Sequence, residues 1–201
     1  TGQGPGRRGI VLLDPEWLYE TYQKDDFSAG LDEWSIFGTM GVDLAPHPEK
    51  KGAQVLRIRK THADWPAAAV WNFPFGVRGR LRVKLSLKTG FGGAMVLITD
   101  HFSVPFDQED EFYALYKFQI GPDGQLGPER LEADRWYTVQ FDWDCAEREC
   151  RVSLDNCQVV ILPQLRMSDG ACYLRLRSTA EQTDNAGFLV DYVEADVSQS
   201  F

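Results

Sequence analysis

At 201 residues and 43% hydrophobic content, the chain is long enough to bury a substantial core, and one β domain accounts for its length. A net charge of −9 and an isoelectric point near 4.8 argue against nucleic acid or an anionic membrane as the main partner, because both require a dominant positive field. No stretch approaches the roughly 18 apolar residues of a membrane-spanning helix, so the chain is read as soluble.

Residues 1–8, TGQGPGRR, are polar and glycine-rich and are expected to be a flexible lead-in; a start on Thr1 rather than Met reads as a fragment or a processed chain. Residues 9–25 are expected to form a short helix or linker. Asp14-Pro15-Glu16 supplies an N-cap and a proline at the first helical position, which predicts a helix over about 15–23. Its aromatics Trp17, Tyr19 and Tyr22 do not share one stripe, so it reads as a lid on the β body or a linker from an upstream domain.

From residue 26 to 201 the pattern is that of strands. Asp26-Phe27-Ser28-Ala29-Gly30, then Leu31 and Trp34, lead into a strand around 34–37, followed by 42–45, 54–60, 67–73, 79–88, 94–99 and 112–120. Residues 135–162 read as three antiparallel strands in succession. Tyr137, Val139, Phe141 and Trp143 alternate with Trp136, Thr138, Gln140 and Asp142; 146–149 make a polar loop; Asp155-Asn156 tolerates the positive φ of a tight turn. Strands over 171–177 and 188–197 close the chain. Short strands at close intervals with one helix predict an all-β, two-sheet antiparallel sandwich or jelly roll, and the absence of a fixed repeat argues against a propeller.

The segments DDFSAGLDEW, WYTVQFDWD with RVSLDNCQVVIL, and GFLVDYVEADV resemble the concanavalin A-like, or laminin-G-like, jelly roll. In particular AVWNFPFG, GFGGAMVLITDHFSVPFDQEDEFYAL and CYLRLRSTAEQTDNAGFLVDYVEADV resemble the jelly-roll domains attached to bacterial sialidase-like and other carbohydrate-active enzymes. The resemblance spans residues 26–197 and implies fold more than activity, because this fold hosts lectins, glucanases, lyases and inert spacers.

The acids Asp107, Glu109, Asp110 and Glu111 invite a glycosidase reading, but the Glu-x-Asp-x-x-Glu pattern of the family's glucanases is missing, and a solvated or metal-binding loop is the first reading. A lyase needs a base and a proton donor, for which His62, His101, Tyr113 and Tyr116 are the parts; His101, beside a long loop, is the residue to watch. No nucleophilic triad, P-loop or H-E-x-x-H motif is present. The resemblance also implies a structural calcium ion, for which Asp26 at the first strand entry and Asp191 in the last strand are candidates.

Arginines and lysines alternate with core residues at Arg57 and Arg59, at Arg80, Arg82 and Lys84, and at Arg175 and Arg177. If those strands are neighbours, they form a basic face, edged by Tyr173, suited to an anionic glycan; the plainer reading is a solvated face with each cation paired to an acid. Trp65, followed by Pro66 in a loop, is the best candidate to stack on a sugar, whereas Trp71, Trp136 and Trp143 are expected in the core. Cys145 and Cys150 flank a hairpin loop within bridging distance, either as a disulfide or as two reduced thiols.

The expectation for function is an accessory sandwich of a secreted, extracellular or periplasmic carbohydrate-active enzyme, binding a poly- or oligosaccharide or packing against a catalytic domain outside this chain. The alternatives are a jelly-roll glycoside hydrolase or polysaccharide lyase in its own right, and a structural spacer without ligand. No cofactor is required for the first reading.

Overall fold

The computed structural model describes residues 22–38 and 40–197. Among the described residues fifteen strands follow in chain order: β1 (Tyr22–Asp25), β2 (Trp34–Ile36), β3 (Val42–Pro46), β4 (Gln54–Ile58), β5 (Ala68–Gly76), β6 (Arg78–Leu87), β7 (Ala94–Thr99), β8 (Ala114–Ile120), β9 (Gln125–Leu126), β10 (Glu129–Arg130), β11 (Trp136–Asp144), β12 (Glu149–Leu154), β13 (Cys157–Pro163), β14 (Ala171–Ser178) and β15 (Phe188–Asp196). The larger sheet runs β13-β12-β11-β6-β15-β4-β3, with β1 added to β15, and the smaller runs β2-β5-β14-β7-β8. All pairs are antiparallel, as the sequence predicts for a two-sheet sandwich.

The meander of β11, β12 and β13 forms where the alternation places it, with Val139 opposite Leu154 and Trp143 opposite Cys150. Asp155 and Asn156 both take positive φ, 47° and 71°, the mirror-image turn that matches the twist of a hairpin. Tyr137, Val139, Phe141 and Trp143 point inward, and their counterparts from β6 and β15 meet the inner face of the smaller sheet. One chain of rings links the layers: Phe27 to Trp34 at 5.7 Å between centroids, Trp34 to Trp71 at 6.1 Å, Trp71 to Phe73 at 5.9 Å and Phe73 to Trp143 at 5.6 Å. Asp25 sets the start of this chain. Its carboxylate accepts from the Phe27 amide at 2.7 Å and from Trp34 Nε1 at 2.6 Å, so the acid-Phe-Gly entry buries its aromatics without stranding the indole N–H.

Three expectations need correction. The helix over 15–23 lies outside the described residues as far as 21, and Tyr22 and Gln23 are strand, because their backbone pairs with Asp196 and Ala195 of β15. Trp136 is not core: it sits on the outer face of the larger sheet and stacks on His47 at 5.0 Å. The arginine-bearing strands do not all share a face: β4 and β6 flank β15 in the larger sheet, whereas β14 belongs to the smaller. The four cysteines are free thiols, Cys145 and Cys150 buried on either side of the hairpin loop.

Candidate functional site

The outer face of the smaller sheet is covered by the 100–113 loop, and one arginine holds that cover in place. Arg175 extends from β14, between Val70 of β5 and Leu97 of β7, and its side chain is buried to 1% exposure. Its guanidinium donates to the Asp110 carboxylate, to the Ser103, Val104, Pro105 and Asp107 carbonyls and to Ser103 Oγ. Burial pulls the Arg175 pKa below its ordinary value and the Asp110 carboxylate offsets only part of that pull, but an arginine starts so high that the guanidinium stays charged. Met95, Leu97 and Ala114 pack beneath the same loop as a small second core. The unbroken apolar run of Ala94–Thr99 was the sequence signal for this arrangement, because a strand covered on both faces loses its alternation.

Beside the loop, toward the Arg177 end of β14, lies an open cleft of about 350 Å³. It is lined by Lys60, Asp64, Trp65, Gln108, Glu111, Gln119 and Arg177, among others. Trp65 is 37% exposed but not loose: its ring lies 5.5 Å from Phe37 and 6.3 Å, edge-on, from Phe106, and those two rings are 4.8 Å apart. Arg177 Nη1 donates to Asp110 at 2.7 Å and Nη2 to Glu111 at 3.0 Å, and Lys117 reaches Glu111 at 2.8 Å. Gln108 Nε2 donates to the Asp64 carbonyl at 3.1 Å, and Lys60 Nζ donates to the Ala180 carbonyl at 3.0 Å. Two cations, Lys60 and Arg177, face two acids, Asp64 and Glu111, so the cleft has no net formal charge.

Of the residues singled out from the sequence, Trp65, Arg177 and Glu111 therefore meet in one cleft. The others do not join them. Arg175 is consumed by the loop and offers no donor to a ligand. Arg57 pairs with Asp43 at 2.5 Å and Arg59 with the same acid at 3.6 Å, on the opposite sheet. Tyr173 is at the far end of β14, where its ring lies 6.0 Å from Phe102.

The acids do not form a catalytic pair. Asp110 is fully buried between Arg175 and Arg177, and Asp107 accepts from the Glu109 amide at 2.9 Å within its own turn. Hydrogen bonding from Lys117, with Arg177 adding to it, holds the Glu111 carboxyl below the usual range, so it is ionised at neutral pH and has no proton to give. Tyr116 is core, its phenol pushed well above its ordinary pKa by burial. His62 is exposed, and its Nδ1 accepts from the Asp64 amide.

His101 and Tyr113 do come together, 6.3 Å between ring centroids, at the opposite end of the loop from Trp65. Asp100 Oδ1 lies 2.6 Å from His101 Nδ1, and Arg166 pairs with Asp100 while its Nε donates to the Tyr113 carbonyl at 3.2 Å.

The two aspartates nominated for calcium do not fit a cation. The strand that Asp26 leads into, β2, pairs with β5 in the smaller sheet and not with β15; β1, which ends just before Asp26, is the one beside β15, and the Asp26 carboxylate accepts from the Ser28 amide at 3.1 Å. Asp191 is buried on the outer face of the larger sheet against Lys50 at 2.6 Å, Lys84 at 3.2 Å and His47 at 3.3 Å, and two ammonium groups already neutralise it.

Another cleft, about 450 Å³ between the 87–91 and 130–133 segments, is less suited to a ligand. Its only ring, Phe91, is buried, and Lys88 and Arg130 are paired with Asp134 and Asp123.

Two antiparallel sheets with these connections, the last strand returning beside the first, define a concanavalin A-like jelly roll. No family model and no curated protein matches the sequence. Among solved structures the chain is similar to a sialidase, with a TM-score of 0.66 and 13% identity over 89% of this chain. It spans 19% of that sialidase's length. It is also similar to a glycoside hydrolase family 16 endo-glucanase from Bacteroides ovatus (TM-score 0.54, 12% identity, 86% of this chain and 99% of that one). A third is the exoplasmic/lumenal domain of VIP36 in a Ca2+/Man-bound form (TM-score 0.52, 12% identity, 90% and 91%). At these identities the likeness is one of fold.

Proposed function

We propose that this chain is a glycan-binding accessory sandwich of a secreted carbohydrate-active enzyme, and that the Trp65 cleft takes an uncharged sugar. The observation that carries the reading is Trp65 itself: a part-exposed indole, held rigid by Phe37 and Phe106, at the side of an open polar cleft. Pyranose C–H faces stack on such rings, and a ring ordered before binding loses little entropy on contact. Gln108, Gln119, Glu111 and Arg177 supply donors and acceptors for hydroxyl groups around it. An anionic glycan is disfavoured, because the cations that would attract it are divided between two sheets and paired with Asp43, Asp142, Glu194, Asp110 and Glu111. The sialidase, the endo-glucanase and the mannose-bound domain that share the fold support a carbohydrate role, and the span of only part of the sialidase supports an accessory one.

The test is isothermal titration with neutral oligosaccharides on wild-type protein and on Trp65→Ala. Loss of at least about tenfold in affinity, in a variant that stays folded at the assay temperature although it melts lower for want of the Phe37 and Phe106 contacts, is the expected result, since tenfold corresponds to about 1.4 kcal/mol of lost stacking. Equal binding by the variant removes the cleft from the account.

A second reading, catalysis by the chain itself, rests on the approach of His101 to Tyr113 beside Arg166. It requires chain cleavage that His101→Ala abolishes and Trp65→Ala leaves at full kcat.

A further inference from the structure

The Trp65 cleft continues past its own end. A second open cleft, about 540 Å³, is lined by Gly90, Gly92, Pro122 and the 179–186 segment, and Gln119, Thr179 and Ala180 line both. Resting on the assignment of the Trp65 cleft to a neutral sugar, we infer that the two clefts form one groove that binds the interior of an extended, uncharged polysaccharide chain rather than a single terminal sugar.

Five observations support the inference. The two clefts each fall within the range of 300–1,000 Å³ in which small-ligand sites lie, so together they exceed the needs of one ring. Both are open grooves, through which a chain can enter and leave, whereas recognition of a terminus calls for a closed end.

The ridge between them is closely packed. Gly92 approaches Ala180 so closely that a Cβ on the glycine would lie 2.7 Å from the alanine Cβ, and Gly93 approaches Thr179 in the same way, at 2.4 Å from its Oγ1. Lys60 ties the ridge back to the Trp65 side through the Ala180 carbonyl, and Asp184 fixes the far wall by accepting from the Gly92, Ala186 and Gly187 amides at 2.9, 2.7 and 3.1 Å.

The polar groups along the path are free to read hydroxyls. Gln119 at the junction, and Gln182 and Asn185 in the second cleft, are exposed and make no side-chain hydrogen bond among the described residues. The charge also selects: the second cleft adds Glu181 and Asp184 with no lysine or arginine, so the groove as a whole disfavours uronate or sulfated chains.

The experiment is titration of the full chain with cello-, laminari-, xylo- and manno-oligosaccharide ladders from disaccharide to hexasaccharide, together with the matching polysaccharides, on wild-type protein, Trp65→Ala and Gln182→Ala/Asn185→Ala. In the matching series, affinity is expected to rise at least about tenfold from disaccharide to hexasaccharide. The Gln182→Ala/Asn185→Ala variant should lose most of that rise while binding the disaccharide as wild type does. Borohydride reduction of the chain ends should leave polysaccharide binding unchanged. Disaccharide binding that depends on Trp65, with an affinity flat along every ladder and no effect of the double variant, overturns the extended groove and leaves the sugar cleft standing. Absence of binding to every neutral ladder removes both.

Discussion

Arg175 and Asp110 form an ion pair with side-chain exposures of 1% and 0%, at the point where the 100–113 loop meets the outer face of the smaller sheet. The pair and the carbonyls around it make that loop part of the fold, and through the loop they place Phe106, Gln108 and Glu111 around the Trp65 cleft.

Replacing Arg175 with methionine leaves Asp110 charged and buried with only Arg177 as its counter-ion. The loss expected for breaking a buried pair is about 3–5 kcal/mol by urea denaturation, with faster proteolysis within 100–113. Adding Asp110→Asn to Arg175→Met should cost less than the sum of the two single changes, because the carboxylate no longer needs a partner. Additive losses would mean that the two residues do not act as a pair.

Asp191 contributes to the pH dependence of the larger sheet. Burial raises its pKa, but hydrogen bonds from Lys50 and Lys84 outweigh burial and hold it below the usual carboxylate range. A carboxyl with a depressed folded pKa stabilises the protein fully above its unfolded value of about 3.9, and that contribution is lost as pH falls through the folded value. Asp191→Asn is therefore expected to lower stability by about 1.5–3 kcal/mol at neutral pH. The gap from wild type should narrow as the pH is taken below about 4, and a gap that widens in acid would contradict the assignment.

The thiols should separate by exposure. Cys157 is exposed on β13, whereas burial pushes the Cys145 and Cys150 thiols up and raises Cys172 to about 11. Ellman's reagent in mildly alkaline buffer is expected to modify Cys157 alone in the native protein and all four thiols after denaturation without reductant. Two thiols after denaturation would reveal a Cys145–Cys150 disulfide.

Gly41 and Gly52 separate backbone strain from collision. Both have φ of +82°, but a Cβ on Gly41 would lie 1.9 Å from the Arg59 carbonyl oxygen, while one on Gly52 would enter open space. Gly52→Ala should cost about 1–2 kcal/mol for the left-handed conformation alone. Gly41→Ala should cost clearly more, read from the denaturation midpoint.

The sequence by itself determined the class of fold and much of the strand order. Alternation in residues 136–143 and the Asp155-Asn156 turn act within a few residues, so their physics is local and can be read without partners. Trp65 was legible as well, through the proline that follows it in a loop. What only the tertiary structure decided is which strands become neighbours and what each charged side chain meets. Arg57, Arg82 and Arg175 have the same local pattern, an arginine between two core residues. One ends beside Asp43, one beside Glu194, and one buried under a loop against Asp110. The separation of the arginines onto two sheets, the capture of Asp191 by two lysines and the meeting of Trp65 with Arg177 all depend on pairings between residues far apart in the chain. Period and composition carry no information about those pairings, because an outward-pointing charge looks the same in sequence whether it faces water, an acid or a loop.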